Sequence, residues 1–313
     1  MTRVLVTGAA GFAGRHLLDL LVKSGHDITA WSRSPIQPNP ANPGRIHWHQ
    51  VDLLDAAAVA RAVGAARPSG VFHLGASAHV GQSWGDATKT MATNVLGTHN
   101  VLRGLSSAGL TARVLIPSSA YVYRPSAQPL REDSPIGPSS PYALSKLAQE
   151  MLGLRAIQED GQEVVVARSF NHTGPGQSAE YSASGFARQI ALIEAGRMPP
   201  TISVGNLDAS RDLSDVRDTV RAYHTLLARG ATGEIYNVCS GTAVPIRDVL
   251  QALVNLSRSK VAIAVDPARY RPSDTPVLLG DPGKLKKQTG WVPEVPLQET
   301  LSNLLEYWRK EIQ

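Results

Sequence analysis

The chain has 313 residues, of which 42% are hydrophobic and 18% are charged. This composition predicts a full apolar core and argues against disorder, and the length favours two domains or one large α/β unit with an added lobe. The single cysteine, Cys239, excludes an internal disulfide and a cysteine-based zinc site, which is typical of a protein of the reducing cytoplasm. Nothing in the sequence indicates a bound metal.

The charge balance is basic, because 31 Lys and Arg residues face 26 Asp and Glu residues, for a net charge of +5. The basic residues are scattered and not interleaved with aromatic residues, which argues against a nucleic-acid partner. Small molecules that carry phosphate account for the excess equally well. No apolar run approaches the ~20 residues that cross a bilayer, and Met1–Gly8 enters a strand-like pattern at once, so we expect neither a membrane partner nor an export signal.

Short β-branched runs alternate with longer helical patterns in the first half of the chain, which predicts βαβ units around a doubly wound parallel sheet. The predicted strands are Arg3–Val6, Asp27–Trp31, Ile46–Gln50, Val71–Leu74, Val114–Pro117 and Val164–Ala167. The predicted helices lie near Gly11–Ser24, Asp55–Ala66, Ala87–Ala108 and Pro141–Asp160. The sequence therefore predicts an α/β fold of the Rossmann type.

Turn-rich stretches separate shorter elements after Arg168, which indicates a second, smaller C-terminal α/β lobe. We expect one domain over residues 1–168 and the lobe over residues 169–313, with about 212–240 returning to the first domain. Glu234–Val238 is the strand expected to return, and Leu297–Glu311 has helical spacing of apolar residues. Pro35–Pro43 is predicted to be an exposed loop.

A glycine-rich turn follows the first predicted strand directly and opens the first helix. Its sequence, from Gly8 through Gly11, Phe12 and Ala13 to Gly14, allows a pyrophosphate to approach the positive end of that helix closely. The first domain is therefore predicted to bind a dinucleotide. The alternative is a glycine-rich turn that only packs a helix on a sheet.

The end of the second predicted strand indicates which dinucleotide binds. A site for NAD needs a carboxylate there, but this chain has Ser32 and Arg33. A hydroxyl followed by a guanidinium suits a 2′-phosphate, so the sequence predicts NADP as cofactor, with NADPH preferred and NADH possible. The alternative is an ordinary solvated arginine in a loop.

A phenol and an ammonium lie four residues apart at Tyr142 and Lys146, and therefore on one face of a helix. A nearby cation favours the phenolate and makes the phenol a better acid, which is what a carbonyl reductase needs. Ser119 closes the fifth predicted strand, at the carboxyl edge where open α/β sheets bind ligands. These three side chains are the catalytic candidates.

The glycine spacing, Ser119 and the Tyr-x-x-x-Lys pair together resemble the extended short-chain dehydrogenase/reductase family, also called the NAD-dependent epimerase/dehydratase family. The resemblance implies that Ser119 binds the substrate oxygen, that Tyr142 is the acid/base and that Lys146 also holds the nicotinamide ribose. Family members usually pair through the helices near 87–108 and 141–160, which implies a homodimer. The further cofactor contacts that the resemblance implies are Asp52, Leu53, Leu74, Gly75, Ala76 and Asn94. For Asn94, a helix-interior amide that only bonds to backbone is an equal alternative.

The second lobe contains five motifs, at Arg168–Gln177, Phe186–Ile190, Ser210–Val216, Asn237–Gly241 and Asp266–Asp274. Together they resemble the motifs of GDP-6-deoxy-4-keto-mannose reductases and their GDP-mannose 4,6-dehydratase relatives. An amide can bind a diphosphate or a sugar, guanidinium groups can bind a pyrophosphate, and a carboxylate can accept from a ribose hydroxyl. Each arginine taken alone is as well explained by a surface ion pair. The substrate-binding candidates are Ser119, Ala120, Tyr121, Asn171, Arg188, Arg211, Arg271 and Asp274.

The residues after Ser119 separate the activities found in this family. Dehydratases have acidic residues there, whereas this chain has Ala120 and Tyr121, which are poor proton donors at neutral pH. The resemblance therefore implies NADPH-dependent reduction of the C4 keto group of a GDP-4-keto-6-deoxyhexose to a GDP-6-deoxyhexose such as GDP-D-rhamnose. The main alternative is a redox-neutral sugar-nucleotide 4-epimerase with bound NAD. A GDP-mannose 4,6-dehydratase and a non-catalytic cofactor sensor are less favoured.

Overall fold

The structure is a computed structural model that describes residues 3–35, 45–269 and 275–313. Most of the predicted loop Pro35–Pro43 lies outside the described residues. The strands are β1 (Arg3–Thr7), β2 (Asp27–Ser32), β3 (Ile46–Gln50), β4 (Gly70–His73), β5 (Arg113–Ser119), β6 (Glu163–Ser169), β7 (Asn171–Thr173), β8 (Thr201–Val204), β9 (Ser210–Asp215), β10 (Ile235–Val238), β11 (Ala243–Pro245), β12 (Ala262–Val265) and β13 (Val277–Leu278). The α-helices are α1 (Phe12–Lys23), α2 (Ala56–Ala66), α3 (Val80–Ser83), α4 (Ala87–Met91), α5 (Gly97–Ser107), α6 (Pro141–Asp160), α7 (Ser182–Glu194), α8 (Val216–Arg229), α9 (Ile246–Asn255), α10 (Gly283–Thr289) and α11 (Leu297–Ile312).

One parallel sheet forms the centre of the fold. In the described residues it has seven strands in the order β10-β6-β5-β4-β1-β2-β3, and the strand order reverses between β1 and β4. Ligands of open α/β sheets bind at the carboxyl edge beside such a reversal. The predicted α/β class with a doubly wound sheet is confirmed.

Helices cover both faces of this sheet, and alternation along each strand supplies both layers of the core. In β1, Val4 and Val6 pack with α1 and α8 on one face, whereas Leu5 points to the other face with residues of α2 and α5. All three are at most 2% exposed. A strand buried on both faces reads as a continuous apolar run, which is how the sequence reveals it.

The longest helix, α6, begins and ends at residues that favour those positions. The Ser140 hydroxyl accepts a hydrogen bond from the Ala143 N–H at 3.1 Å, and Pro141 occupies the first turn, where its missing N–H costs nothing. Gly161 ends the helix with φ of +66°, in the left-handed region that glycine adopts without strain. Because the ends of the helix are defined, Tyr142 and Lys146 have fixed positions relative to the sheet.

The predicted helix near Ala87–Ala108 contains one irregular turn. After α4, residues Ala92–Leu96 form a single π-helical turn before α5 continues. Asn94 lies in that turn and is fully buried. A π turn contains one residue more than an α-helical turn. Hydrophobic spacing does not predict it, because the residues before and after the turn keep the α-helical period.

The second lobe has its own small sheets and core. Strand β9 pairs with β11, β13 and β7, and β8 pairs with β12. Its apolar core includes Ile190 of α7, Leu250 of α9 and Leu304 of α11. The chain returns to the large sheet through α8, which packs on α1, and through β10, which pairs with β6. Within the described parts of the chain, no helix combines the length and apolar character needed to cross a membrane.

A buried ion pair joins α6 to the strands that end at the site. The Arg168 guanidinium donates to both carboxylate oxygens of Glu150, at 2.9 and 2.8 Å, and both side chains are at most 4% exposed. The Ser118 hydroxyl donates to the same carboxylate at 2.5 Å. The carboxylate therefore fixes α6 against the ends of β5 and β6.

We predict that Glu150→Gln lowers the free energy of unfolding by about 3–5 kcal/mol, because it leaves the Arg168 charge buried without a counter-charge. The control is Glu159→Gln on the same helix, whose partner Arg155 is 2.6 Å away in an exposed pair. That change is expected to cost less than about 1 kcal/mol. Urea unfolding of both variants measures the difference, and equal losses would contradict the prediction.

Candidate active site

A cleft of about 440 Å³ opens at the carboxyl edge of the large sheet, where the strand order reverses. Its walls include the glycine turn after β1, the end of β5, the start of α6 and the segment after β6. The three catalytic candidates Ser119, Tyr142 and Lys146 all line this cleft. The structure therefore brings together side chains that are far apart in the sequence.

The glycine turn has the close packing that a dinucleotide site requires. Gly8 has φ of +63°, and a Cβ atom placed there would lie 2.7 Å from the Gly75 nitrogen. A Cβ atom on Gly14 would lie 2.7 Å from the Ala9 carbonyl oxygen. The turn lines the cleft with Gly8, Gly11, Phe12, Ala13 and Gly14, so the residues present fit a pyrophosphate at the start of α1.

Phe12 links the glycine turn to the second lobe. Its ring stacks on His172 with the planes 7° apart and the centroids 5.9 Å apart, and His16 meets it edge-on. Burial lowers the pKa of His172, against the hydrogen bond with the Phe170 carbonyl. His172 is therefore a neutral aromatic contact at neutral pH. This agrees with a structural role for a lone histidine beside a turn.

The predicted adenosine end lies at the tips of β2 and β3. Ser32 is the last residue of β2 and is buried, whereas Arg33 is exposed, and its carbonyl accepts from Gln50 Nε2 at 3.1 Å. Asp52 accepts from the Leu54 N–H at 2.9 Å. The Leu53 side chain lies under Gly75, where a Cβ atom would be 2.6 Å from Leu53 Cδ1.

Residues after β4 continue the cleft toward the catalytic candidates. Leu74 and Ala76 line it, and the Gly75 N–H donates to Thr7 Oγ1 at 2.9 Å. This bond joins the ends of β4 and β1 directly below the glycine turn. The three residues that the resemblance singled out here thus lie beside the turn.

Tyr142 lies at the start of α6 and is 8% exposed. Burial raises the pKa of its phenol above the ordinary value, and the hydrogen bond with Ser119 opposes part of that rise. Ser119 in turn accepts from the Tyr121 N–H at 3.2 Å. The phenol is therefore protonated at neutral pH and shares a hydrogen bond with the hydroxyl beside it.

Lys146 lies one turn further along α6, and its ammonium is held by the protein. Nζ donates to the Pro117 carbonyl at 2.8 Å and to Gln149 Oε1 at 2.9 Å. Burial lowers the pKa of Lys146 to about 8, against the attraction of Glu150. The sequence suggested that this cation makes Tyr142 more acidic, but burial dominates and the phenol is less acidic than in water.

Asn94 directs its amide to protein groups next to the site. Oδ1 accepts from the Ser77 N–H at 2.7 Å, and Nδ2 donates to the Ser77 carbonyl and to Ser145 Oγ, at 3.1 and 2.8 Å. Ser145 precedes Lys146. Asn94 thus holds the loop after β4 against α6, through the Ser77 backbone and the Ser145 side chain, and its contact with the cofactor stays a prediction.

A second cavity, of about 590 Å³, adjoins the cleft on the side of the small lobe. The two share His79, Glu180 and Tyr181, and the second extends to Gln189 of α7 and Ser203 of β8. Asn171 lines the cleft with its Oδ1 buried and without a hydrogen-bond partner in the described residues. An unpartnered buried acceptor beside the cleft fits a ligand that donates a hydrogen bond.

The other substrate-binding candidates are dispersed. Tyr121 lines the cleft, whereas Ala120 is buried behind it. Arg188 is exposed with its guanidinium 5.8 Å from the Trp308 ring, and Arg211 donates to the Thr275 carbonyl at 2.9 Å. Both lie outside the described residues that line the two cavities. Arg271 and Asp274 lie outside the described residues altogether.

Several residues of the site had no sequence prediction. Tyr181 and Tyr223 line the cleft, and Gln82 Nε2, in the wall of the second cavity, donates to both oxygens of Glu180 at 3.0 Å. Gln149 holds Lys146, and its position three residues after the lysine on the same helix was the available signal. The others carry no local pattern, because Tyr223 on α8 and Gln82 on α3 reach the site only through the packing of distant elements.

A parallel sheet with a glycine turn after β1, and with serine, tyrosine and lysine at its carboxyl edge, defines the extended short-chain dehydrogenases/reductases. The motif resemblance predicted this class, and the comparisons confirm it. The model of the family described as GDP-mannose 4,6 dehydratase matches residues 5–304. The chain therefore belongs to the GDP-mannose 4,6-dehydratase family.

Among the relatives is the GDP-6-deoxy-D-mannose reductase of Pseudomonas aeruginosa, 35% identical over 99% of this chain and 98% of the relative. The solved structure of RMD from Pseudomonas aeruginosa, complexed with NADPH, superposes with a TM-score of 0.89 at 33% identity, covering 99% of this chain and all of that one. The UDP-glucose 4-epimerase of Thermus thermophilus, in complex with NAD, has a TM-score of 0.87 at 30% identity, covering 98% of this chain and 99% of the other.

Proposed function

We propose that the protein catalyses NADPH-dependent reduction of the C4 keto group of a GDP-4-keto-6-deoxyhexose to a GDP-6-deoxyhexose such as GDP-D-rhamnose. The observation that carries the proposal is the set of Ser119, Tyr142 and Lys146 in one cleft that begins at the glycine turn. A buried, protonated phenol is a proton donor in the form that carbonyl reduction consumes.

Tyr142 is the general acid in this proposal. When bound, NADPH supplies the hydride that reduces the carbonyl carbon. The Tyr142 hydroxyl protonates the carbonyl oxygen as negative charge develops there, and Ser119, its hydrogen-bond partner, donates to the same oxygen.

Lys146 assists the acid, Tyr142, when the lysine itself is protonated. Pro117 and Gln149 hold the ammonium, and its third hydrogen is left for a ligand hydroxyl in the cleft. Its positive charge stabilises the phenolate that remains after the proton has left. With a pKa of about 8, this charge is present at neutral pH and is lost as the pH rises above 8, so the rate falls on the alkaline side.

Three observations support a reductase of GDP-linked sugars. Ala120 and Tyr121 stand where dehydratases of the family carry acidic residues, so this chain lacks the groups that move protons at C5 and C6 of the hexose. The second cavity extends the cleft into the small lobe, where a nucleotide diphosphate has room. The 35% identical relative is named a GDP-6-deoxy-D-mannose reductase.

The proposed cofactor contacts run along the cleft, from the glycine turn to the catalytic residues. The pyrophosphate lies against Gly8, Gly11, Phe12, Ala13 and Gly14. The adenosine lies between Ser32, Arg33, Asp52 and Leu53, and the nicotinamide riboside lies along Leu74, Gly75 and Ala76 toward Tyr142 and Lys146. On this proposal residues 1–168, with about 212–240, form the dinucleotide-binding domain, and residues 169–313 form mainly the sugar-nucleotide lobe. The related RMD structure is complexed with NADPH.

The experiment that tests the function compares three substrates. GDP-mannose alone is expected to give no product, whereas GDP-mannose with a separate 4,6-dehydratase is expected to consume NADPH. UDP-glucose is expected to remain unchanged. Dehydration of GDP-mannose or epimerisation of UDP-glucose, without NADPH oxidation on the keto sugar, would overturn the reductase proposal in favour of the dehydratase or the epimerase with bound NAD.

We predict that Tyr142→Phe lowers kcat by about 10²–10⁴-fold, the usual contribution of general acid catalysis. The dissociation constant for NADPH is expected to stay nearly unchanged, since only the hydroxyl is removed. Steady-state kinetics and fluorescence titration measure the two quantities, with Tyr307→Phe on α11 as a control that keeps full activity. Retention of most of the activity by Tyr142→Phe would refute the assignment.

We also predict that the unmodified protein prefers NADPH to NADH and that Arg33→Ala weakens this preference by roughly ten- to a hundredfold. The reason is the loss of charge-assisted hydrogen bonds to the 2′-phosphate, worth about 1.5–3 kcal/mol. The ratio of kcat/KM for the two cofactors measures the preference, and Arg197→Ala, an exposed arginine of the small lobe, is the control. Equal kcat/KM values in the unmodified protein would contradict the prediction.

We further propose a homodimer in the cytoplasm, paired through the helices α5 and α6. Leu144 and Met151 lie seven residues apart on α6 and are 50% and 51% exposed, and Leu96, in the π turn that contacts α6, is 54% exposed. An apolar surface of this kind is typical of an interface. Sedimentation is expected to give a dimer that Leu144→Glu with Met151→Glu converts to a monomer. A monomeric unmodified protein would exclude the pairing.

A further inference from the structure

A continuous chain of buried hydrogen bonds runs behind the catalytic lysine. From Lys146 Nζ it passes to Gln149 Oε1, and from Gln149 Nε2 to Thr98 Oγ1 at 2.6 Å. His73 Nε2 lies 2.9 Å from the same hydroxyl, and His73 Nδ1 lies 2.9 Å from Thr7 Oγ1. The chain ends at the Gly75 N–H below the glycine turn. It connects α6, α5, β4 and β1.

Only one arrangement of protons satisfies this chain. The Thr98 hydroxyl donates to the Asn94 carbonyl at 2.6 Å, so it must accept from both Gln149 Nε2 and His73 Nε2. His73 therefore carries a proton on Nε2, and because burial keeps the ring neutral, Nδ1 accepts from the Thr7 hydroxyl. The Gln149 amide cannot turn over, because its nitrogen would then face the Lys146 ammonium, which has no acceptor to offer.

The surroundings of the lysine contain few other charges. The carboxylate of Glu150 raises the pKa of Lys146 but is itself bonded to Arg168 and Ser118. From β4, burial and the Lys146 ammonium lower the pKa of His73 to about 3, so His73 carries no charge in the range where activity is measured. Tyr142, on the same helix, is protonated there. Gln149 is therefore the side chain that directly accepts from the ammonium.

We propose that Gln149 is a positioning residue for Lys146, and that Thr98 fixes the Gln149 amide with its oxygen toward the ammonium. A leucine at 149 would leave a buried ammonium hydrogen without an acceptor, whereas a glutamate would bring a second negative charge to the lysine. Glutamine keeps the ammonium in place and leaves its charge free to act on Tyr142. The inference rests on the proposed function, in which Lys146 supports the acid.

The test measures the pKa of Lys146 directly in cofactor-free protein. Lysine is labelled with ¹³C at Cε, the Lys146 signal is identified by its loss in Lys146→Arg, and its chemical shift is followed against pH. Gln149→Leu is expected to lower the pKa by about one to two pH units, which corresponds to one lost hydrogen bond to a charged group. Gln149→Glu is expected to raise it. Thr98→Val is expected to lower it by a smaller amount, because the amide nitrogen loses its acceptor and the amide oxygen is held less firmly toward the ammonium.

A matched control separates this effect from a loss of packing. Thr219 on α8 is buried and donates to the carbonyl four residues earlier, as Thr98 does, but it lies outside the chain of hydrogen bonds. Thr219→Val is expected to leave the Lys146 pKa unchanged. If Gln149→Leu fails to fold, the opposite shift in Gln149→Glu decides the matter. An unchanged Lys146 pKa in a folded Gln149 variant would overturn the proposal.

The same variants separate this inference from the proposed function. If the protein reduces the keto sugar, the alkaline limb of its kcat profile is expected to move with the Lys146 pKa, and Gln149→Leu is expected to lose roughly ten- to a hundredfold in kcat. If the unmodified protein reduces no keto sugar while the NMR shifts occur, the function is wrong and the positioning of Lys146 stands. A kcat profile that does not follow the NMR pKa would overturn the role in catalysis.

Discussion

Lys146 carries its charge in a buried position, and much of the structure around the cleft stabilises that charge. A bare ammonium taken out of water would lose its proton, so each hydrogen needs an acceptor. Pro117 at the end of β5 provides one and Gln149 another, which fixes how far α6 lies from the sheet. The carboxylate of Glu150 lies one turn further on and is itself neutralised by Arg168. The site is therefore built around two opposite charges, each with its own partners.

The sequence predicted those parts of the fold and site that are determined by residues close together in the chain. The glycine turn, the helix that begins near Pro141 and the pair Tyr142 and Lys146 are all set by residues within one or two turns of each other, so spacing alone reveals them. The alternation of β-branched runs and helices predicted the parallel sheet, because burial on both faces requires continuous apolar strands.

The remaining parts depend on contacts between distant residues. His73 meets Thr98, 25 residues away, and Gln149 meets it across 51 residues. The Arg188 guanidinium lies 5.8 Å from the ring of Trp308 on the last helix, a neighbour that the sequence around Arg188 does not indicate. Strands of two to six residues in the small lobe carry too little alternation to be recognised. Such contacts form only after the sheet has brought these residues together, so local sequence patterns do not show them.

The way in which the chain passes between the two sheets limits how the two lobes can move. β6 ends in the large sheet at Ser169 and β7 begins in the small one at Asn171, whereas β9 ends at Asp215 and passes at once into α8. Two bodies joined by several short connections cannot rotate widely about a single hinge, so we expect any movement of the lobes to be a small sliding of packed helices. Residues 1–168 would not be expected to keep their shape as a separate fragment, because α8 and β10 from the second half of the chain complete the large sheet and its cover.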